Sequence, residues 1–363
     1  MLDPSDFRDL VSGRRRGLGA TLARFGLRLA ETPYAAAVQW RNRRYDTGRV
    51  PVHRVEVPVV SVGNLTLGGT GKTPMVEWIA RWYRRHGVRV AIVSRGYGAE
   101  SGAKNDEAAE LEQRLADVPH LQNPDRVEAA RTAIDELGSR LIVLDDAFQH
   151  RRIHRDLDLV MLDALEPFGF GHVFPRGMLR EPLGGLRRAQ VVILSRADAV
   201  EQSAREAIRR EVVRHAPEAL WAEVAQIPRA LFSAEESQRP TAELAGKPVA
   251  AFCGIGNPDG FRHTLDACAY RVAAFREFPD HYRYARGDVE SLSRWAATLD
   301  VSAVVCTHKD LVKLRTTHLG GKPVWALVIG LDFLGGREGL EKRLAELLPE
   351  QPAEIEASPD AES

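Results

Sequence analysis

Seven consecutive residues have the composition and spacing of a loop that binds phosphate groups: Gly68-Gly69-Thr70-Gly71-Lys72-Thr73-Pro74. In such a loop the backbone N–H groups point at phosphate oxygens, the lysine reaches the outer phosphates, and the next hydroxyl binds Mg²⁺. We therefore predict nucleotide contacts from six residues, namely Gly68, Gly69, Thr70, Gly71, Lys72 and Thr73. The hydroxyl of Thr73 is also the first predicted metal ligand.

The elements around this loop favour the same reading. An apolar run at 58–62 is typical of a short buried strand, and the apolar residues after the loop recur at helical spacing up to Gly87. One feature departs from the common pattern, which would place a glycine at Thr66, whereas the glycine in this chain is Gly63. A glycine-rich turn without a ligand is the alternative.

Two carboxylates follow a second apolar strand, at 141–144. Asp145 and Asp146 have the position of the Walker B acids, because ligands of open α/β sheets bind outside the carboxyl ends of the strands. We predict that both belong to the metal site together with Thr73. A polar turn without a ligand would have the same composition.

Strands and helices alternate along the first two thirds of the chain. Strands are predicted at 58–62, 89–94, 141–144, 158–162 and 190–194, and helices near 74–86, 125–137 and 201–215. This order predicts a P-loop NTPase-type α/β fold, with a mainly parallel sheet covered by helices on both faces. A second set of strands, at 248–252, 270–275, 303–306 and 324–329, predicts a smaller C-terminal α/β domain.

Composition changes mark four segments. We expect an N-terminal amphipathic segment at 1–50, a P-loop domain at 51–232, a C-terminal domain at 233–348 and an acidic disordered tail at 349–363. The three cysteines show neither disulfide nor zinc-site spacing, which favours a reducing compartment. We expect no secretory signal, because cationic residues interrupt the apolar residues of the N-terminus.

The N-terminal segment carries most of the positive charge. Residues 13–50 hold nine arginines and two acids, a local charge of +7 in a chain whose formal net charge is zero. Leu18, Leu22, Phe25 and Leu29 share one helical face, yet no stretch approaches the ~20 apolar residues of a membrane span. Such a helix either lies in the interface of an anionic membrane or packs on the protein with its arginines in solvent.

Several further motifs, taken with the loop and the acidic pair, resemble the tetraacyldisaccharide 4′-kinases, the lipid A kinases of Gram-negative bacteria. The motifs are Val62-Gly63-Asn64, Ser94-Arg95-Gly96-Tyr97-Gly98, Asp125-Arg126, Asp145-Asp146-Ala147-Phe148-Gln149-His150, Arg180-Glu181-Pro182, Phe278-Pro279-Asp280-His281 and Lys309-Asp310. The resemblance implies transfer of the γ-phosphate of ATP, with Mg²⁺, to the 4′-hydroxyl of tetraacyldisaccharide 1-phosphate, which forms lipid IVA. It also implies a monotopic contact with the cytoplasmic face of the bacterial inner membrane, and no nucleic-acid partner.

The same resemblance implies individual roles. Asp106 would be the catalytic base and His281 its partner, with Lys72 and Arg126 also catalytic. Arg180 would bind nucleotide, and Glu181 would lie near the metal. Some positions depart from the family pattern: Asn105, Ala108 and His308 stand where glycine, proline and glutamate are usual.

Two other functions fit a P-loop. A nucleotide-dependent switch or metallochaperone is one, although Leu67 precedes the glycines where dimeric ATPase switches carry a lysine. A soluble kinase for a polar sugar is the other, and the basic amphipathic segment distinguishes it, because a soluble enzyme has no use for such a helix.

Overall fold

The computed structural model of the 363-residue chain describes residues 4–96, 106–235, 237–256, 258–279 and 282–349, with the backbone alone described at residues 4, 5 and 106–109. Ten α-helices lie within these ranges: α1 Pro4–Ser12, α2 Leu18–Asp46, α3 Lys72–Arg85, α4 Asp106–Arg114, α5 Arg126–Asp135, α6 Gln202–His215, α7 Pro258–Ala267, α8 Arg286–Ala297, α9 His308–Leu314 and α10 Arg337–Ala345.

Thirteen strands form one sheet: β1 Val59–Asn64, β2 Val90–Ser94, β3 His120–Gln122, β4 Leu141–Asp145, β5 Leu157–Asp163, β6 Val191–Ser195, β7 Leu220–Phe232, β8 Gln238–Arg239, β9 Pro248–Cys253, β10 Arg271–Glu277, β11 Ala303–Thr307, β12 His318–Leu319 and β13 Lys322–Gly335. Their order is β10-β9-β11-β13-β7-β6-β5-β1-β4-β2-β3, with β12 beside β13 and β8 beside β7.

The sheet consists of two parallel sets joined by one antiparallel pair. From β7 to β3 all neighbours are parallel, and so are those from β10 to β13. β7 and β13 run antiparallel, from Ala326 opposite Phe232 to Gly335 opposite Glu223. Only the two short strands β8 and β12 add further antiparallel pairs to the described sheet.

The central strands are buried along their whole length, because helices cover both faces of the sheet. Every residue of β1, β4, β5 and β6 is buried, as the continuous apolar runs predict for parallel strands. On one face α3 packs with α4 and α10, and on the other α5, α6 and their neighbouring loops complete the core.

The predicted fold class is therefore confirmed, and each predicted strand is found within two residues of its expected bounds, except that β13 continues to Gly335 where an end at 329 was predicted. Strand β7 was not expected. α2 also runs without a break through Pro33. The sheet is continuous across the predicted boundary at residues 232 and 233, and α10 returns to pack against β7. The division into domains stays a prediction.

Candidate nucleotide and phosphate site

The glycine-rich loop connects the carboxyl end of β1 to the first residue of α3. Gly68 and Gly71 both adopt positive φ, 102° and 79°, a conformation that side chains rarely allow. A Cβ at Gly71 would also collide with the side chain of Gln226 on β7. The turn therefore requires glycine at these two positions, and it ends at the N-terminus of α3, where backbone N–H groups favour anions.

Ser195, at the end of β6, and the next residue, Arg196, donate hydrogen bonds to the loop. The Ser195 hydroxyl donates to the carbonyl of Thr70 at 2.8 Å. The Arg196 guanidinium donates to the carbonyl of Gly69 at 3.2 Å and forms an ion pair with Asp163. Because the carbonyls of Gly69 and Thr70 already accept these hydrogen bonds, the two peptide units are held in place before phosphate binds.

Gly63, the glycine that stands before the position of the common pattern, is required by packing. A Cβ on Gly63 would lie 2.5 Å from Cβ and 2.7 Å from the backbone nitrogen of Phe148. The end of β1 and the segment after β4 therefore touch backbone to backbone. Thr66, where the common pattern has glycine, is buried and bridges to Leu179 instead.

The predicted phosphate ligand Lys72 lies against one of the predicted metal carboxylates. Its Nζ is 3.5 Å from Oδ1 of Asp146, and Arg180 donates to both oxygens of the same carboxylate at 2.9 and 3.0 Å. Burial alone would raise the pKa of Asp146, but Lys72 and Arg180 outweigh it and hold that pKa below its ordinary value. The structure thus brings together three of the predicted residues.

Arg126 is a buried cation beside the two acids. It begins α5, is 4% exposed, and donates to the carbonyl of Pro124 at 3.3 Å, while its Nε has no partner among the described residues. Burial and the neighbouring Arg95 lower the pKa of Arg126, whereas Asp146 and Asp145 raise it. A buried guanidinium without a complete set of acceptors is suited to an anionic ligand.

The oxygen donors near the loop fit Mg²⁺. Thr73 lies in the first turn of α3, and the parallel pairing of β1 with β4 sets Asp145 opposite Val62, so the carboxylate emerges at the strand ends beside the loop. Mg²⁺ takes one or two carboxylates and completes its shell with phosphate and water oxygens. Thr73, Asp145 and Asp146 supply that donor set.

Glu181 is held differently from the other acids. Its carboxylate is fully buried and accepts from Arg188 at 2.8 Å, from Gln149 at 3.1 Å and from Asn42 of α2 at 2.9 Å. Both oxygens therefore already have protein donors. A direct bond from Glu181 to the metal would share an oxygen with one of these donors.

The comparisons with known proteins decide the family. The sequence profile described as Tetraacyldisaccharide-1-P 4′-kinase matches residues 23–349 of the chain. The chain belongs to this kinase family. A tetraacyldisaccharide 4′-kinase from Anaeromyxobacter dehalogenans (strain 2CP-C) is 42% identical over 90% of this chain and 91% of that relative, and one from Chlorobaculum parvum is 37% identical over 90% and 95%.

A solved member of the tetraacyldisaccharide 4′-kinase family has the same architecture. LpxK from Aquifex aeolicus, determined in complex with ATP, superposes with a TM-score of 0.73 at 28% identity, over 90% of this chain and all of that one. This likeness favours a family kinase over the nucleotide switch and over the soluble sugar kinase.

The two residues of the predicted catalytic pair fall largely outside the described part. Asp106 is the first residue of α4, but its side chain is not described, and His281 lies outside the described residues. Their separation and roles stay predictions.

Helix α2 turns its large apolar residues away from the rest of the protein. Leu18, Leu22, Phe25, Leu29 and Trp40 are 63–85% exposed. The opposite side, at 3- and 4-residue spacing, carries buried or half-buried residues that face the protein: Ala20, Arg24, Leu27, Glu31, Ala35, Val38 and Asn42. Within the described ranges, no helix is both long and apolar enough to cross a bilayer.

Asn42 and Arg188 are site residues that the motifs did not indicate. Asn42 is one of two amides within an arginine-rich helix, and Arg188 ends the short 3₁₀ helix Leu183–Arg188, so neither belongs to a recognisable pattern. Their roles depend on contacts with Glu181, which is 139 residues from one and 7 from the other.

Proposed function

We propose that this chain transfers the γ-phosphate of ATP to the 4′-hydroxyl of tetraacyldisaccharide 1-phosphate, which yields lipid IVA. Family membership over residues 23–349 carries the proposal. The cluster of Lys72, Asp146 and Arg180 at the glycine-rich loop supports it, because phosphoryl transfer depends mainly on positioning and charge neutralisation.

In this proposal the loop binds the phosphates through the backbone of Gly68–Gly71, and Lys72 and Arg180 neutralise the outer phosphate oxygens. When the Lys72 ammonium moves from Asp146 to phosphate, the Asp146 carboxylate loses this ion-pair partner. Thr73, Asp145 and Asp146 would hold Mg²⁺, with Glu181 behind them. When bound, the ion supplies positive charge at the β- and γ-phosphate oxygens.

The remaining catalytic roles follow the family. Asp106 accepts the proton of the 4′-hydroxyl as that oxygen attacks phosphorus, and His281 orients or tunes the carboxylate. Arg126, buried beside the two Walker B acids, stabilises anionic oxygens of the site. The proton ends on Asp106, and ADP leaves with the bond electrons to its β-phosphate oxygen.

We further propose that α2 rests on the cytoplasmic face of the bacterial inner membrane. The exposed apolar residues support this contact, since they would enter the interface while the arginines meet anionic headgroups, each contributing about 1 kcal/mol. The lipid acceptor and the active site would then share one surface.

The deciding experiment is a transfer assay with purified full-length protein, MgATP labelled at its γ-phosphate, and tetraacyldisaccharide 1-phosphate, with products separated by thin-layer chromatography. Label should move to the lipid. A parallel reaction with a water-soluble glucosamine disaccharide tests the sugar-kinase alternative, and labelling of that acceptor alone would overturn the proposal.

A further inference from the structure

The protein-facing side of α2 reaches into the phosphate site through one side chain. Asn42 is buried, and its Nδ2 donates to Oε2 of Glu181 at 2.9 Å. Its backbone carbonyl accepts from Arg151 at 2.9 Å, so the helix is held on the protein at the same point. Asn42 therefore connects α2 to the loop that carries Arg180 and Glu181.

From Glu181 the hydrogen bonds continue to the glycine-rich loop. Gln149 donates from one nitrogen to Oε1 of Glu181, at 3.1 Å, and to the carbonyl of Asn64, at 2.9 Å. The Asn64 side chain donates to the carbonyl of Gly68 at 3.4 Å. Asn42, Glu181, Gln149 and Asn64 thus form an unbroken chain of contacts, here called the relay, from α2 to Gly68.

Burial makes the relay sensitive to each of its members. Glu181 and Asn64 are fully shielded from solvent, and Asn42 is nearly so. Arg188 balances the charge of Glu181, but the second carboxylate oxygen depends on Asn42 for its donor. Buried carboxylates that lose a donor are strongly penalised, so the carboxylate would move to find another one.

A second set of contacts holds the same loop to α2. Glu31 accepts from the backbone N–H of Val173 at 2.8 Å, and the Tyr34 hydroxyl donates to the carbonyl of Arg180 at 3.4 Å. Arg180 itself donates from its backbone to Leu65 at 2.7 Å, next to the glycine-rich loop. The loop from Val173 to Glu181 therefore lies between α2 and the phosphate site, in contact with both.

We propose that Asn42 is a positioning residue for the phosphate site: through Glu181 and Gln149 it sets the geometry of the loop at Gly68. Because we also propose that the other side of α2 contacts the membrane, one helix would bind lipid on one face and brace the phosphate loop with the other. The positioning role rests on the nucleotide-binding part of the proposed function, since it concerns the affinity for MgATP.

The test compares three full-length variants by isothermal titration calorimetry with MgATP. Asn42→Ala should weaken MgATP binding roughly 3- to 20-fold, the range of coupling through packed networks. Asn42→Asp, which keeps the size but cannot donate and repels Glu181, should weaken it at least as much. Gln39→Ala, an amide on the solvent side of the same helix, should leave the affinity unchanged.

A double variant tests the relay itself. If Asn42 acts through Gln149, the Asn42→Ala/Gln149→Ala protein should bind MgATP about as weakly as the weaker single variant, because the two residues act in one chain. If the double variant lost MgATP affinity by the product of the two single losses, the relay would be refuted. An Asn42→Asp protein that melts like the wild type and binds MgATP with wild-type affinity would also refute it.

Vesicle binding separates this inference from the proposed function. Asn42→Ala should co-sediment with phosphatidylethanolamine–phosphatidylglycerol vesicles as the wild type does, which excludes loss of α2 as the cause of weaker MgATP binding. A wild-type protein that binds MgATP but phosphorylates no lipid would refute the proposed function and leave the relay intact.

Discussion

Lys72 and Asp146 form an ion pair, 3.5 Å from Nζ to Oδ1, at the place where both would contact a nucleotide and its metal. Arg180 closes the pair from the other side with two hydrogen bonds. The three charges stabilise one another without phosphate, so the site is organised in advance and exchanges partners when the ligand binds.

Replacement of Lys72 should remove transfer without unfolding the protein. We expect Lys72→Ala to lower kcat by 100-fold or more, on the order of the cost of losing one charge-stabilising group, because Arg180 alone would leave the charge of the outer phosphates incompletely neutralised. The transfer assay measures the loss, and a thermal melt within a few degrees of the wild type is the control. Near wild-type turnover would show that the nucleotide site is assigned wrongly.

The predicted pair of Asp106 and His281 should behave as one unit. Asp106→Asn and His281→Ala should each lower kcat by roughly 100-fold or more, the scale of general-base catalysis. The double variant should lose much less than the product of the two effects, because the residues share one step. The affinity for MgATP should be unchanged in all three variants. Strictly multiplicative losses would indicate independent roles.

The exposed face of α2 should determine binding to vesicles. Leu22→Glu with Phe25→Glu should reduce co-sedimentation with anionic vesicles at least 10-fold, because burial of each such side chain contributes about 1.5–3 kcal/mol. Ala23→Glu with Ala30→Glu is the matched control, since both positions are exposed beside the apolar face and the charge change is the same. Equal losses in the two proteins would mean that charge alone governs binding.

His150 should make folding sensitive to mild acid. Burial, with the charges of Arg126, Arg152 and Arg155, lowers its pKa to about 4. Between pH 6.5 and about 4 the unfolded chain therefore binds a proton that the folded protein does not, so stability falls as the pH falls through this window. For a half-buried ring we expect a loss of about 1–2 kcal/mol after solvent screening.

Urea unfolding at pH 7 and pH 4.5 measures this effect as a difference between wild type and His150→Asn. The variant has no imidazole to titrate, so its stability should fall less on acidification. An identical fall in both proteins would assign the acid sensitivity to other groups.

Gly63 should tolerate no side chain. Gly63→Ala would force apart β1 and Phe148, at a cost of about 1–3 kcal/mol typical of overpacking. Gly184→Ala is the control, because nothing lies within 4 Å of its Cβ position. Thermal melts of the two variants should differ by several degrees, and equal melting temperatures would contradict the close contact.

Local patterns were enough to predict the strands around the glycine-rich loop and the acids at the end of β4, because buried parallel strands and phosphate loops are encoded in short runs of sequence. β7 escaped prediction since its polar residues, such as Glu223 and Gln226, break the apolar run, and its pairing with β6 and with β13, a hundred residues later, makes it a strand. Pro33 does not interrupt α2, because the hydrogen bond that proline cannot make is confined to one exposed turn.

The contacts of Glu181 lay beyond any local pattern. The family resemblance named the residue, yet its partners Asn42 and Arg188 come from a distant helix and from the loop after it. Such contacts depend on how α2 docks on the folded protein, which neither spacing nor composition expresses.

The packing of α10 has a consequence for synthesis of the chain. The Tyr83 hydroxyl of α3 donates to the carbonyl of Leu344 at 3.0 Å, and Leu340 and Leu344 complete the core beneath the phosphate-loop helix. That helix therefore leaves the ribosome some 260 residues before its last partner. Until then the part of its buried face that α10 covers stays exposed, which prolongs the interval in which a nascent chain needs protection by chaperones.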